Sequence, residues 1–226
     1  MSIQREELFT KLDKEIKLMS SMVFRQLEIL FTRFDSKDNR EATYIQMDEN
    51  EMLIDGLDTQ IRKDIIDVIL VYTPRAADLR MIMAAYDITV ALERTADLIM
   101  NIYISLNKVN LEGKTYSKLQ VSMTSILYTV DSMVKSAISS FLNQNIELGR
   151  EILLRDNIVN ELYREIKAEI IEISADKVLD KQKVEEIMAL GAISHNIERI
   201  GDYATNIVEA AIYLIEGKSI LHEDIK

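Results

Sequence analysis

The chain of 226 residues is 48% hydrophobic, which is the composition of a packed globular protein with one large domain or two small ones. Its formal net charge of −11 argues against nucleic acid as the main partner, and the absence of cysteine excludes a disulfide framework and thiolate metal sites. The N-terminal residues are acidic where a secretory signal would be basic and then apolar. The longest run without a charged side chain, 119–130, is too short to span a bilayer, so we expect a cytoplasmic protein without direct membrane insertion.

Apolar residues recur every three or four positions along almost the whole chain, and this spacing predicts an all-α fold. Taken in chain order, the predicted helices are 4–34, 39–72, 74–109, 116–142, 146–174 and 181–216. Thr73 is the predicted N-cap of the third helix, with Pro74 at its first position, and Gly113 is a predicted C-cap glycine. The other predicted breaks lie in polar, turn-forming segments at 35–39, 143–145 and 174–180. The arrangement predicts two up-down-up units of three helices each.

The second half of the chain repeats the first at an offset of 105 residues. Residues 79–103 align with 184–208 without a gap, and nine of these 25 positions are identical, whereas unrelated segments would share about one or two. The identical pairs are Ile82/Ile187, Met83/Met188, Ala84/Ala189, Ile88/Ile193, Glu93/Glu198, Arg94/Arg199, Asp97/Asp202, Asn101/Asn206 and Ile102/Ile207. We therefore predict two tandem three-helix bundles, residues 1–112 and 113–226, related by an internal repeat.

Each half carries an apolar seam along its third predicted helix, with steps of three and four residues. The first seam contains Ala85, Ile88, Leu92, Thr95, Ile99, Ile102 and Leu106, and the second contains Leu190, Ile193, Ile197, Ile200, Ala204, Ile207 and Ala211. Seams of this kind pack against neighbouring helices at a shallow crossing angle. We therefore expect both helices to lie in the protein core.

Carboxylates occur in pairs at equal heights on the first predicted hairpin. Glu51 and Asp55 lie one turn apart on the second helix, and Glu93 and Asp97 have the same spacing on the third. An antiparallel hairpin folded about Pro74 would bring Glu51 level with Asp97, and Asp55 level with Glu93. Equal height along the two helices does not determine whether these side chains point towards one another, because the rotation of each helix about its axis is not fixed by the sequence spacing.

The second half has the corresponding set. Asp156 and Asn160 lie one turn apart on the fifth helix, and Glu198 and Asp202 on the sixth. A bend within 174–180 would bring Asp156 level with Asp202, and Asn160 level with Glu198. Both halves are thus predicted to present four oxygen-bearing side chains at one height.

Like charges held together are unfavourable unless a cation compensates them, and oxygen ligands suit Mg, Ca, Mn or Fe. Asn101 and Asn206, one turn beyond each aspartate, would add carbonyl oxygens. Arg94 and Arg199 are candidates for ion pairs with the glutamates, or for contacts with a phosphate or a protein partner. A single acidic pair is more simply a solvated helix face, but its repetition at matched heights favours a metal site. His195, three residues before a glutamate, is more simply a solvated or packed side chain than a ligand.

The sequence shows no catalytic apparatus. It lacks a glycine-rich phosphate loop, a cysteine nucleophile and a G-x-S-x-G motif, and it has two histidines. The E-x-x-H motif of di-iron bundles is missing, because Ala192 and Ser219 stand three residues before the histidines. We therefore predict that the chain is not an enzyme.

Three motifs carry a family resemblance: Pro74-x-x-x-Asp78-Leu79-Arg80, then Glu93-Arg94-x-x-Asp97, and finally Glu198-Arg199-Ile200-Gly201-Asp202. With these motifs and its two-fold repeat, the chain resembles the PhoU family of accessory regulators of bacterial phosphate uptake. Asn160 departs from the family pattern, since it stands where a carboxylate is expected.

The resemblance implies an all-helical, dimer-forming cytoplasmic protein without catalysis. Such proteins act with the phosphate ABC transporter and its ATPase subunit and with a sensor histidine kinase, and they repress phosphate-starvation genes when phosphate is plentiful. It also implies metal clusters at the paired acidic motifs, with iron favoured and Mg, Mn or Zn as alternatives. We therefore expect a negative regulator that acts as a metal-binding adaptor. An accessory protein of another ion or phosphate transporter, a carboxylate-bridged di-metal oxidase and a purely structural scaffold are the competing hypotheses.

Overall fold

The computed structural model describes residues 2–35, 40–175 and 179–217, and nearly all of them are helical. The helices are α1 (Ser2–Asp35), α2 (Arg40–Tyr72), α3 (Ala77–Ser105), α4 (Lys114–Asn143), α5 (Ile146–Ser174) and α6 (Lys181–Glu216), with a 3₁₀ turn at Leu106–Lys108. The described ranges contain no strand, and the predicted all-α class is confirmed. No helix in these ranges is long and apolar enough to cross a membrane.

The six helices of the described ranges form two three-helix bundles that share one core. Helices α1, α2 and α3 contact one another, as do α4, α5 and α6, and the most extensive contact in the molecule joins α3 to α6. Every residue of the two predicted seams is buried, including Thr95, whose hydroxyl donates to the Ala91 carbonyl at 2.7 Å. Burial of both seams explains why α3 and α6 lie at the centre, and it fixes which faces of these helices remain exposed.

The start of α3 differs from the prediction. Thr73 is not an N-cap: its φ is 48°, and its hydroxyl donates to the Tyr72 carbonyl at 2.8 Å. The helix begins three residues later than predicted, at Ala77, after Ala76 with φ 44° and no side-chain cap. Two positive φ angles reverse the chain here, so Pro74 lies in the connection and not in the first turn of the helix.

Gly113 also has a different role from the predicted one. Its φ of −74° and ψ of 152° are those of an N-cap residue, and α4 begins directly after it. A C-cap glycine needs a positive φ, so the prediction was wrong. The α3 helix has already ended at Ser105, and the 3₁₀ turn follows it.

Two other breaks match their predictions. Gln144 adopts a left-handed conformation at the end of α4, and the Asn145 side chain caps α5 by accepting from the Leu148 amide at 3.2 Å. Asp180 caps α6 in the same way, accepting from the Lys183 amide at 2.8 Å. Positions 36–39 and 176–178, within the predicted breaks at 35–39 and 174–180, lie outside the described residues.

Candidate metal centre

The first carboxylate cluster lies between α2 and α3, where Glu51 approaches Asp97. The two carboxyl groups are close enough to share a hydrogen bond, which places together the pair predicted to lie at equal height. The Gln26 amide of α1 donates a second hydrogen bond to Glu51 Oε2. Burial, the contact with Asp97 and the negative charges of Asp97 and Asp55 raise the pKa of Glu51 to about 7, against the opposing effect of Gln26.

Asp55 and Glu93 complete this cluster. Burial and the charge of Asp97 raise the pKa of both side chains, and Glu93 also senses the charge of Asp55. Glu93 Oε2 is buried without a hydrogen-bond donor, and it lies 3.4 Å from Arg94 Nε. The cluster therefore holds more negative charge than its neighbours compensate.

Two further residues border the cluster and were missed by the sequence analysis. Asp58 lies one turn beyond Asp55, contributes to the raised pKa of Glu93, and accepts from Arg62 Nε with both oxygens at 2.8 Å. Its spacing on the same helix face could have identified it. Gln26 had no such signal, because it comes from a different helix, 25 residues away in sequence.

The second cluster lies between α5 and α6. Burial and the charges of Glu198 and Asp156 raise the pKa of Asp202 to about 6, so the predicted partners Asp156 and Asp202 are close in the structure. Asn160 Nδ2 donates to Asp156 Oδ2 at 2.8 Å, so this side chain bonds within its own helix and not across to Glu198. Burial raises the pKa of Asp156, and the hydrogen bond from Asn160 opposes the rise.

The remaining candidates lie at the edges of the clusters. His195 is exposed, with Nδ1 3.4 Å from Glu198 Oε2, and its ring centroid is 6.0 Å from that of Tyr163. Asn101 and Asn206 are exposed, and no hydrogen bond within the described ranges joins their side chains to the carboxylates. These asparagines are therefore not part of the two clusters as the side chains stand.

The clusters have the donor chemistry of an oxygen-ligand metal site without a formed ligand shell. Within residues 2–35, 40–175 and 179–217, no group of three or more His, Cys, Asp or Glu side chains is positioned to hold an ion. Glu93 Oε2, which accepts no hydrogen bond from the described residues, and the raised pKa values of Glu51 and Asp202 nevertheless mark both clusters as short of positive charge. A cation would relieve this shortage, but binding it would require side-chain rotation.

The repeat and the fold both match known proteins. The family model described as PhoU domain matches the chain twice, at residues 16–105 and 123–211. The chain belongs to the PhoU family. Both the predicted resemblance and the predicted two-repeat architecture are thereby confirmed.

Relatives of this PhoU-family chain match along almost its whole length. A protein of Aquifex aeolicus named phosphate-specific transport system accessory protein PhoU homolog is 31% identical over 222 residues, covering 96% of this chain and 98% of its own. A homolog of the same name from Clostridium acetobutylicum is 28% identical over 211 residues, 93% of each chain. The crystal structure of PhoU from Pseudomonas aeruginosa superposes with a TM-score of 0.83 at 21% identity, covering 94% of this chain and 99% of the other, and so supports the fold.

Proposed function

We propose that this chain is a phosphate-transport accessory protein that acts in the cytoplasm as a negative regulator of phosphate uptake and phosphate-starvation signalling. In this role it is a metal-binding adaptor between the ATPase subunit of a phosphate ABC transporter and a sensor histidine kinase, and it acts as a homodimer without catalysis. Family membership supports the transport role, as do the names of relatives that match over more than nine-tenths of the chain.

The observation that carries the metal-binding part is the recurrence of the carboxylate cluster in both repeats. Each cluster joins two helices of one bundle, and each contains a carboxyl group whose pKa is raised by burial and by like charges: Glu51 in the first and Asp202 in the second. The apolar seams already provide the packing of both bundles. A purely structural scaffold would therefore gain no stability from placing like charges close together at equivalent positions of the two repeats.

In the first cluster, the cation would be held by Glu51 and Asp55 from α2 and by Glu93 and Asp97 from α3. In the second cluster, the ligands would be Asp156, Asn160, Glu198 and Asp202. A bound ion such as iron supplies positive charge that four oxygen ligands can share. In the metal-free protein, Glu51 must retain a proton or tolerate the charge of Asp97, so the α2–α3 contact depends on pH. Carboxylates that ligate one ion would hold α2 against α3, and the surface offered to partner proteins would become more rigid.

Metal content tests the first site. We compare wild type with Glu93→Gln/Asp97→Asn after purification without chelator, and we expect the variant to lose the metal of the first cluster. The matched control is Glu161→Gln/Glu165→Gln, which removes the same charge from two exposed acids with the same one-turn spacing on α5. Equal metal content in all three proteins would remove the first cluster from the proposal.

Partner capture tests the adaptor role. We expect the transporter ATPase and the sensor kinase to be recovered with wild type, with a different yield in high and low phosphate. Replacing Glu93, Asp97, Glu198 and Asp202 by their amides should reduce this recovery, and circular dichroism would confirm that the helices persist. Recovery of components from a different transporter would support an accessory role for another ion instead.

A further inference from the structure

A cleft of about 770 Å³ lies between α3 and α6, with one side chain, Arg62, contributed by α2. This volume is within the range of small-molecule sites, about 300–1,000 Å³. Its floor includes the buried residues Ala91 and Ala210, and their small side chains leave room above them. The cleft is therefore large enough for one small molecule. It adjoins the first carboxylate cluster, because Arg94 lines the cleft and contacts both Glu93 and Asp97.

Three half-buried tyrosines line the cleft: Tyr86 from α3, and Tyr203 and Tyr213 from α6. Aromatic side chains provide flat surfaces on which a planar ring can stack. The phenol of Tyr86 is held in place, because its oxygen accepts from Arg62 Nη1 at 3.0 Å. Part of the lining is thus positioned before any ligand binds.

Two guanidinium groups also face the cleft. Arg62 is anchored through Nε on Asp58, and its central carbon lies 5.1 Å from the centroid of the Tyr86 ring. The Arg94 side chain is 54% exposed, and its contacts with Glu93 and Asp97 are 3.4 and 3.6 Å, longer than ordinary hydrogen bonds. Its N–H groups can therefore donate to a ligand, and the planar guanidinium suits a phosphate.

The acidic lining limits the choice of ligand. Two carboxylates line the cleft, Asp87 from α3 and Glu209 from α6, and burial raises the pKa of Asp87. A simple anion would make no contact with the tyrosine rings, and an ammonium ligand would be repelled by the two arginines. A planar base, a phosphate and the hydroxyl and amino donors of a nucleoside together satisfy the aromatic, the basic and the two acidic side chains of the cleft.

Part of the cleft lining does not follow the internal repeat. At the offset of 105 residues, the three tyrosines and Asp87 have counterparts of a different kind, whereas Arg62 corresponds to the basic Lys167, and Arg94 recurs. The counterparts are Gly191 for Tyr86, Ala192 for Asp87, Leu98 for Tyr203 and Lys108 for Tyr213. Neither the packing common to both bundles nor the duplicated carboxylate clusters therefore accounts for the tyrosines and Asp87.

We propose that this cleft binds a nucleoside phosphate. Its base stacks on the tyrosines, its phosphate accepts from Arg62 and Arg94, and Asp87 accepts from a sugar hydroxyl or a base amino group. This site is additional to the metal-binding adaptor role, and it does not require a metal ion.

Isothermal titration calorimetry on the full chain, in buffer containing a chelator, tests the proposal with AMP as the probe. Adenosine, inorganic phosphate and spermidine are titrated separately under the same conditions. We expect saturable binding of AMP, at least tenfold weaker binding of adenosine and of phosphate, and no saturable binding of spermidine. Since metal is absent, this experiment can fail while the metal-binding proposal stands, and the reverse also holds.

Two variants locate the binding site. Tyr203→Leu and Arg62→Gln should each weaken AMP binding about tenfold, by loss of stacking and of a charged donor respectively. The controls are Tyr128→Leu, at an exposed tyrosine of α4, and Lys167→Gln, at the repeat counterpart of Arg62; both should bind as wild type does.

Four results would overturn the proposal: no saturable AMP binding by folded wild type, phosphate binding as tight as AMP, saturable binding of spermidine, or equal losses in the cleft and control variants. If a cleft variant does not fold, the comparison of AMP, adenosine, phosphate and spermidine on wild type still tests the proposal.

Discussion

Glu51 offers a direct measure of the strain in the first carboxylate cluster. Its pKa is raised from 4.5 to about 7, chiefly by burial, so in the metal-free protein the folded state holds a proton that the unfolded chain releases between these values. Stability is therefore fully present below about pH 4.5 and falls as the pH rises through 7. Glu51→Gln keeps the shape and can still accept from Gln26, but it carries no charge at any pH.

The magnitude follows from the size of this shift. At 1.36 kcal/mol per pKa unit, a rise from 4.5 to about 7 corresponds to about 3 kcal/mol at most. Solvent screening of this partly exposed carboxylate reduces the figure to about 1–2 kcal/mol. We therefore expect Glu51→Gln to be more stable than wild type by about that amount at pH 8, and equally stable at pH 4.5. In a protein of this size this is a gain of about 4 °C in Tm.

Urea denaturation in the presence of a chelator, at intervals between pH 4.5 and 8, measures this difference. Glu49→Gln is the control, because it removes an exposed acid from the same helix, and it should show no such dependence on pH. A Glu51→Gln variant that is no more stable than wild type at pH 8, or more stable by the same amount at every pH, would refute the reasoning. When metal is added in place of the chelator, we expect the opposite order of stability. Metal should stabilise wild type more than Glu51→Gln, because the variant lacks one carboxylate ligand.

Two further predictions concern the second bundle. The pKa of Asp202 is raised to about 6, mainly by burial. Asp202→Asn should therefore raise the Tm of the metal-free protein at pH 8 and have little effect below about pH 4. Scanning calorimetry would contradict this if the larger gain in Tm were found at low pH. Ile197 is fully buried in the α6 seam, so Ile197→Ala should lower the free energy of unfolding by about 2–5 kcal/mol. The control is Met188→Ala, since Met188 is 70% exposed on the same helix, and it should change the free energy of unfolding by less than about 0.5 kcal/mol. Equal losses in urea denaturation would show that the α6 seam is not the core.

The sequence predicted most of the helices because their signals are local. Steps of three and four residues identified the buried faces of α3 and α6, and the polar segments 143–145 and 174–180 identified the breaks before α5 and α6. The structure adds that Asn145 and Asp180 cap these two helices. The start of α3 could not be predicted in this way. Thr73 and Pro74 look like a cap and a first turn, but the chain reverses through positive φ angles at Thr73 and Ala76 before the helix begins.

The pairing of Glu51 with Asp97 was predictable for the same reason that the helices were. Backbone hydrogen bonds fix the rise of each residue along a helix, so residues equidistant from a bend reach the same height whatever their neighbours are. Rotation about the helix axis is set by packing instead, and only the tertiary structure decided that Gln26 reaches Glu51 from α1, whereas the bond from Asn160 to Asp156 is a local one between residues one turn apart on α5. The same applies to the cleft, where Tyr86 and Tyr203 face one space although 117 residues separate them, because the close packing of α3 against α6 brings them together.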